Sequence, residues 1–207
     1  MGLIKNLRSQ FKKPEGLLGS IAGMLMTIFG KEKNKWTLSL LNLKQDDHVL
    51  EIGFGPGIGI EIASKIIQNG KIIGIDFSEK MLKKAYQRNK KAIQKGKVEL
   101  IHADVENLPS FQLHFDKVYS INSIIFWNNP VQTLMNIRKL MKDNGVIAIT
   151  VQPFTKDATV DTAKQFGIEI VKQLVEAGFI HVKTELKQMK PVPIVCVLGV
   201  NKEFQSA

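Results

Sequence analysis

The sequence predicts an α/β domain: a doubly wound sheet of seven mostly parallel strands, closed by a terminal antiparallel hairpin and preceded by N-terminal helices. Three observations predict it. From residue 49 onward, short apolar runs alternate with stretches of helical length and spacing, which is the rhythm of β-α-β units. Most of those runs lack the period-2 alternation of a sheet with one wet face, so they read as strands buried on both sides. The last two runs are joined only by Lys190-Pro191-Val192-Pro193. That is too short for the crossover that parallel strands require, so the pair is antiparallel.

In chain order, Lys5, Arg8, Lys12 and Lys13 precede an uncharged run from Gly16 to Gly30. The run is shorter than the about 20 residues that span a bilayer as a helix. It closes on Thr27-Ile28-Phe29-Gly30, whose bulky residues do not suit a signal-peptidase site, so secretion is not expected. Asn6 stands where an N-myristoylation signal has Ser or Thr. Leu17, Leu18, Ile21, Leu25, Ile28 and Phe29 form a helical stripe that Gly16, Gly19 and Gly23 weaken. Such a helix would cap a site or lie in the plane of a membrane, making surface contact through residues 16–30. A second helix is expected over Lys33 to Leu43. The polar break Lys44-Gln45-Asp46-Asp47 then separates a helical cap segment, 1–47, from the main domain, 48–207.

Within that domain, strands are expected at Val49 to Ile52, Lys71 to Ile75, Val98 to Ile101, Phe115 to Ser120 and Val146 to Val151, with the hairpin at His181 to Leu186 and Ile194 to Val200. Helices are expected at Ile58 to Gln68, Glu79 to Lys95, Val131 to Met141 and Val160 to Ala177. Ser78 is placed to cap the second of these, Gly145 follows the third, and Gly178 ends the last.

Apolar residues make up 44% of the 207 and charged residues 23%, which excludes disordered and low-complexity classes and leaves room for one domain with a large core. The single cysteine, Cys196, lies in an apolar strand. An internal disulfide and a thiolate zinc cluster are therefore excluded, and a reducing, cytoplasmic setting is expected. Lys plus Arg number 29 against 19 Asp plus Glu, a net charge of +10, which invites an anionic partner such as RNA or a lipid surface. Much of the excess sits in one place: Lys80, Lys83, Lys84, Arg88, Lys90, Lys91, Lys95 and Lys97 face one acid, Glu79. A solvated helix face accounts for this better than nucleic-acid contact.

The informative stretch is Val49-Leu50-Glu51-Ile52-Gly53-Phe54-Gly55-Pro56-Gly57-Ile58-Gly59, a buried strand running into glycines that open a helix. Glycines there let the chain turn sharply and let a ligand approach bare backbone. The second strand leads to Asp76, a carboxylate able to accept from both hydroxyls of a ribose. Asp104 follows the third strand, so three adjacent strand ends offer glycines or an acid. The dinucleotide fingerprint G-x-G-x-x-G would need glycine where Ile58 stands. Glu51 would repel a pyrophosphate, whereas a cationic amino acid would be welcome there. Tyr86-Gln87-Arg88-Asn89-Lys90 matches the Y-x-x-x-K pattern of short-chain dehydrogenases, but it follows the second strand instead of coming late in the sheet.

Over roughly residues 33 to 200 this combination resembles the class I S-adenosylmethionine-dependent methyltransferases, in their small-molecule and quinone methyltransferase-like branch. The resemblance implies a Rossmann-like sheet, S-adenosyl-L-methionine as cofactor and S-adenosyl-L-homocysteine as product. It implies that Glu51, Gly53, Gly55 and Gly57 line the methionine end and that Asp76 holds the ribose. Asp104, with Val105 beside it, would meet the adenine amino group, Phe77 and Met81 would flank the adenine ring, and Asn122 would face cofactor or acceptor. The ending Glu176-Ala177-Gly178-Phe179 is similar to this family as well.

Methyl transfer from a sulfonium is an in-line displacement, for which orientation can supply roughly 7 to 11 kcal/mol of barrier reduction. A base is needed only where the acceptor stays protonated until attack. His48, His102, His114 and His181 each have a plainer account as strand-end or loop residues, so no catalytic residue is assigned. A small, apolar or aromatic acceptor is expected between the N-terminal helices and the loop from Ile121 to Pro130, with Trp36, Asn122 and Trp127 as its walls. Ser120-Ile121-Asn122-Ser123 departs from the Asn/Asp-Pro-Pro-Tyr/Phe of amino-methylating nucleic-acid enzymes, and Cys196 is remote from where a nucleophile for a pyrimidine would sit. No paired His or Cys ligands suggest a metal. The alternatives are a membrane-borne lipid or quinone acceptor, a basic RNA-binding protein and an NAD-dependent oxidoreductase.

Overall fold

The computed structural model describes residues 30–153 and 158–202. Apart from residue 30, the stripe and membrane contact expected over residues 16–30 lie outside them. A helix, α1, covers residues 30–41. There follow β1 Val49–Ile52, α2 Ile58–Ile66, β2 Ile72–Asp76, α3 Glu79–Gln94 and β3 Val98–His102. Then come β4 Phe115–Ile121, α4 Pro130–Lys139, β5 Met141–Val151, α5 Val160–Glu176, β6 Ile180–Lys187 and β7 Ile194–Val200. Short 3-10 turns at Val105–Asn107 and Ile124–Phe126 follow β3 and β4.

The seven strands form one sheet in the order β3-β2-β1-β4-β5-β7-β6. The β1–β2, β2–β3, β1–β4 and β4–β5 pairs are parallel, and β7 runs antiparallel to both β5 and β6. This is the architecture expected from the strand–helix rhythm. Because β1 pairs with β2 on one side and β4 on the other, the order of connection reverses there, and the loops after β1 and β4 diverge to opposite faces. Side chains of α1, α2 and α3 form one apolar cluster with one face of the sheet, while those of α4 and α5 form a second with the other face. Every residue of β1 and β2 is buried, and so are six of the seven in β7, whereas edge strand β6 alternates between partly buried and exposed. A strand covered by helices and by two neighbours has no wet face for polar residues to occupy.

Most element ends fall within one to three residues of expectation, and the largest departure is at the start of β5. Strand β5 starts at Met141, which pairs with Phe115, and Gly145 lies inside β5 instead of ending a helix. The exposed polar residues Lys142, Asp143 and Asn144 disguise its first turn of pairing as a loop. Ser78 does cap α3, its Oγ accepting the Met81 N–H at 3.4 Å. Helix α1 is tied into the main core: Leu38 and Leu41 pack with Ile60, Tyr119 and Leu198, and the hydroxyls of Thr37 and Thr150 are 2.9 Å apart. Among the described residues no helix is long and apolar enough to cross a membrane.

Candidate active site

At the carboxyl end of β1 the chain turns through Gly53, Gly55 and Gly57, all at positive φ. At Gly53 a Cβ would lie 2.5 Å from Ser123 Oγ, so glycine is what allows the loop after β4 to close against the loop after β1. Gly57 has a different duty. A Cβ there would meet Asn89 and Ala85 of α3, and the Asn89 amide donates to the Gly57 carbonyl at 3.0 Å. This glycine seats α3 against the turn.

Asp76 ends β2 and is 6% exposed. Its Oδ2 accepts the Gly55 N–H at 2.8 Å and its Oδ1 accepts the Ser78 N–H at 2.9 Å. Burial raises its pKa above the ordinary value, against the pull of these two bonds and the nearby His102. The carboxylate is thus oriented by main chain from both neighbouring turns, before any ligand arrives.

Asp76 forms part of the floor of a cleft of about 160 Å³ that opens at the carboxyl ends of β1 and β2. Of the residues expected from sequence, Gly53, Asp76, Phe77, Asp104, Val105 and Trp127 line it. The structure adds Ile52, Ile75, Ala103, Glu106, Ser123, Phe126 and Asn128. Asp104 Oδ1 accepts the Glu106 N–H at 3.0 Å and so caps the turn after β3. Phe77 is 70% exposed, its carbonyl 2.7 Å from His102 Nε2. Opposite them, Trp127 is 4% exposed and its indole N–H donates to Ser123 Oγ at 3.1 Å.

The remaining expected residues stand outside the lining. Glu51 is 2% exposed and points to the sheet face opposite Ile52, as successive strand residues must. The Tyr119 hydroxyl donates to its Oε2 at 2.7 Å, and burial pushes its carboxyl up to about 8. The missing Cβ of Gly59 leaves room there for both Glu51 and Asn34 of α1. Gly55 contributes its N–H to Asp76, and Met81 lies in the first turn of α3, bonded to its cap. Trp36 is partly buried against the cluster formed by α1, α2 and α3. Asn122 holds a positive φ of 59°. Its N–H donates to the Thr150 carbonyl, and its Oδ1 accepts the Gln152 N–H, both at 2.8 Å. The Gln152 amide in turn donates to the carbonyls of Lys190 and Val192 in the hairpin connection. Asn122 therefore ties the ends of β4, β5 and the hairpin together.

Three of the lining residues not anticipated, Ser123, Phe126 and Asn128, come from the loop after β4, which the sequence marks only as apolar and aromatic. Ser123 could have been found only through the space it takes from Gly53, a partner far away in the chain. The cleft presents carboxylate acceptors at the ends of β2 and β3 and an aromatic wall across from them. This suits a hydroxyl-bearing ligand lying beside an apolar one. Among the described residues no cluster of His, Cys, Asp or Glu could hold a metal ion.

Residues 49–145 match the family model of a methyltransferase domain. The chain is 36% identical over 176 residues to the uncharacterized methyltransferase YdaC of Bacillus subtilis, covering 85% of this chain and 95% of that protein. A demethylmenaquinone methyltransferase of Oceanobacillus iheyensis is 34% identical over 89 residues, 42% of this chain and 37% of that one. Among solved structures, a SAM-dependent methyltransferase from Aquifex aeolicus has the same fold, with a TM-score of 0.67 at 20% identity over 81% of this chain and 89% of that one. A methyltransferase of Haloferax volcanii, solved with its Trm112 activator, gives 0.72 at 16% identity over 88% and 93%.

Proposed function

The chain belongs to the class I S-adenosylmethionine-dependent methyltransferases, and from that premise we propose that its acceptor is a small, apolar or aromatic molecule bound beside Phe126 and Trp127. The cofactor supplies a methyl group made electrophilic by its sulfonium. One observation carries its placement: Asp76 is buried at the floor of the cleft with one backbone N–H on each carboxylate oxygen. Each oxygen keeps a second lone pair, which suits the two neighbouring hydroxyls of a ribose.

With the ribose there, Phe77 would lie along the adenine and Asp104 would accept from its amino group, with Val105 packing beside the ring. Gly53 and Gly55 would offer bare main chain to the methionine end. Glu51 would support that end from the other face of the sheet, through Tyr119 and the start of α2. The work left to the protein is to align the acceptor with the methyl–sulfur axis and to keep water away. Phe126 and Trp127 would do both, because the Ser123–Trp127 bond holds the indole in one orientation. Among the described residues the titratable groups lining the cleft are Asp76, Asp104 and Glu106, all on the cofactor side, and no base is assigned.

Calorimetry with S-adenosylhomocysteine tests the placement. Wild-type protein should bind it, and Asp76→Ala should weaken binding by about 100-fold, the scale of losing charge-assisted bonds in a buried site. Absence of binding by either S-adenosylmethionine or S-adenosylhomocysteine would remove it. Labelled-methyl transfer to a panel of phenols, quinols and amines tests the acceptor. Label that reaches only long-chain lipid acceptors in vesicles would overturn the small-molecule reading.

A further inference from the structure

We propose that Glu106 is a positioning residue, a strut that sets the width of the cleft by fastening the turn after β3 to the loop after β4. Resting on the reading of the cleft as the cofactor pocket, this assigns a role to a residue whose own position suggests none. Strands β3 and β4 are not neighbours, since β2 and β1 lie between them. At about 4.8 Å per strand their ends stand about 14 Å apart. The cleft floor, with Ile52, Gly53, Ile75 and Asp76, is the ground between.

The two loops meet across that floor at Glu106. Its carboxylate accepts the backbone N–H of Asn129 at 2.9 Å, and also the backbone and side-chain N–H groups of Asn128. Asn129 is the N-cap of α4, so the carboxylate is also placed where the helix dipole favours negative charge. On the other side the Asp104 carboxylate holds the Glu106 N–H. One charged side chain thus ties the wall with Asp104 and Val105 to the wall with Ser123, Phe126 and Trp127. Both walls are rooted in the apolar cluster that holds Ile52, Ile75 and Trp127, with Ala103 and Val105 packed against it, while Glu106 joins them at the exposed rim, so cutting the strut should part the rims and leave that core and the fold intact.

The test uses Glu106→Ala and Glu106→Gln in the full chain, with a parallel set in a Trp36→Phe background where Trp127 is the one remaining tryptophan. Glu106→Ala should weaken S-adenosylhomocysteine binding about tenfold or more, the scale of losing charge-assisted hydrogen bonds. It should also expose Trp127 to acrylamide and leave the thermal midpoint within about 4 °C. Glu106→Gln should return affinity to within about threefold, because its carbonyl can take the two backbone N–H groups while its amide donates to a flipped Asn128. Three results would overturn the strut: unchanged affinity in Glu106→Ala; equal losses in both variants with Trp127 still shielded, which marks a direct cofactor ligand; or a collapse of the midpoint that accounts for the loss. Trp127 quenching needs no ligand. It decides the strut even if the wild type fails to bind S-adenosylhomocysteine, a result that would refute the pocket reading alone.

Discussion

The two halves of the cleft are built differently. At the ends of β1 and β2, one side chain, Asp76, is held by backbone N–H groups of Gly55 and Ser78, and the glycines around it are set by backbone conformation. At the ends of β4 and β5 the positions depend on side-chain bonds: Asn122 to Gln152, Gln152 to the hairpin and Glu106 to Asn128 between separate segments, and Trp127 to Ser123 within one loop. The first half is thus close to fully specified by main chain, while the second is a network that single substitutions can loosen by degrees. Under the proposed function, one half would take a cofactor that never changes and the other an acceptor whose identity differs among related enzymes.

The largest effect that would sharpen this contrast is the loss of S-adenosylhomocysteine binding expected of Asp76→Ala in calorimetry. Next in size is Glu51→Gln. In the folded chain burial lifts the Glu51 carboxyl to about 8 from the ordinary 4.5, so the folded state holds an extra proton between those values. Stability should therefore fall as pH rises from about 4.5 to about 8 and level off above, by an amount on the order of a few kcal/mol. Asp76, also raised, adds to the slope with the same sign. Glu51→Gln keeps an acceptor for Tyr119 and should flatten most of the slope in urea titrations across that range. An unchanged slope would show that Glu51 ionises freely.

Gly53→Ala joins the halves, since its methyl would strike Ser123 at 2.6 Å from Cβ to Cβ, at a φ that disfavours alanine. A loss of about 1–3 kcal/mol is expected, partly recovered by Ser123→Gly. Additive effects of the two changes would break the proposed contact. Asn122→Gly keeps the positive φ but orphans the Gln152 N–H, which should cost about 1 kcal/mol, with Asn122→Ala costing more through strain. The smallest effect is expected on α3, whose lysines point to solvent while Arg88 reaches Pro56 and Glu61. Lys84→Gln should shift stability by less than about 0.5 kcal/mol and leave S-adenosylhomocysteine affinity unchanged. A clear loss of affinity would bring that face into the site.

Much of the proposed cofactor half was legible because each of its signals is local. Glycines in succession directly after a strand, and an acid that ends the next strand, are each read from a short run of neighbouring residues, and few backbone arrangements besides a ligand-binding turn require both. The proposed acceptor half was legible only as an apolar loop. Glu106 reads as an ordinary polar residue in a turn, and Asn122 as a neighbour of the cofactor, until the fold brings Asn128 and Gln152 to them. The start of β5 was missed for a similar reason: Lys142, Asp143 and Asn144 are polar on a strand end that no helix covers.

By itself the sequence determined the strand–helix order, the antiparallel ending and the acids and glycines at the first strand ends, because burial on two faces and turn chemistry leave their mark on neighbouring residues. Only the tertiary structure decided which of those residues share a cleft. It turned Glu51 away to Tyr119, set Gly57 to packing a helix, and joined Glu106 to a loop three strands away. Hydrogen bonds and excluded volume between segments distant in sequence leave no periodic trace in the chain.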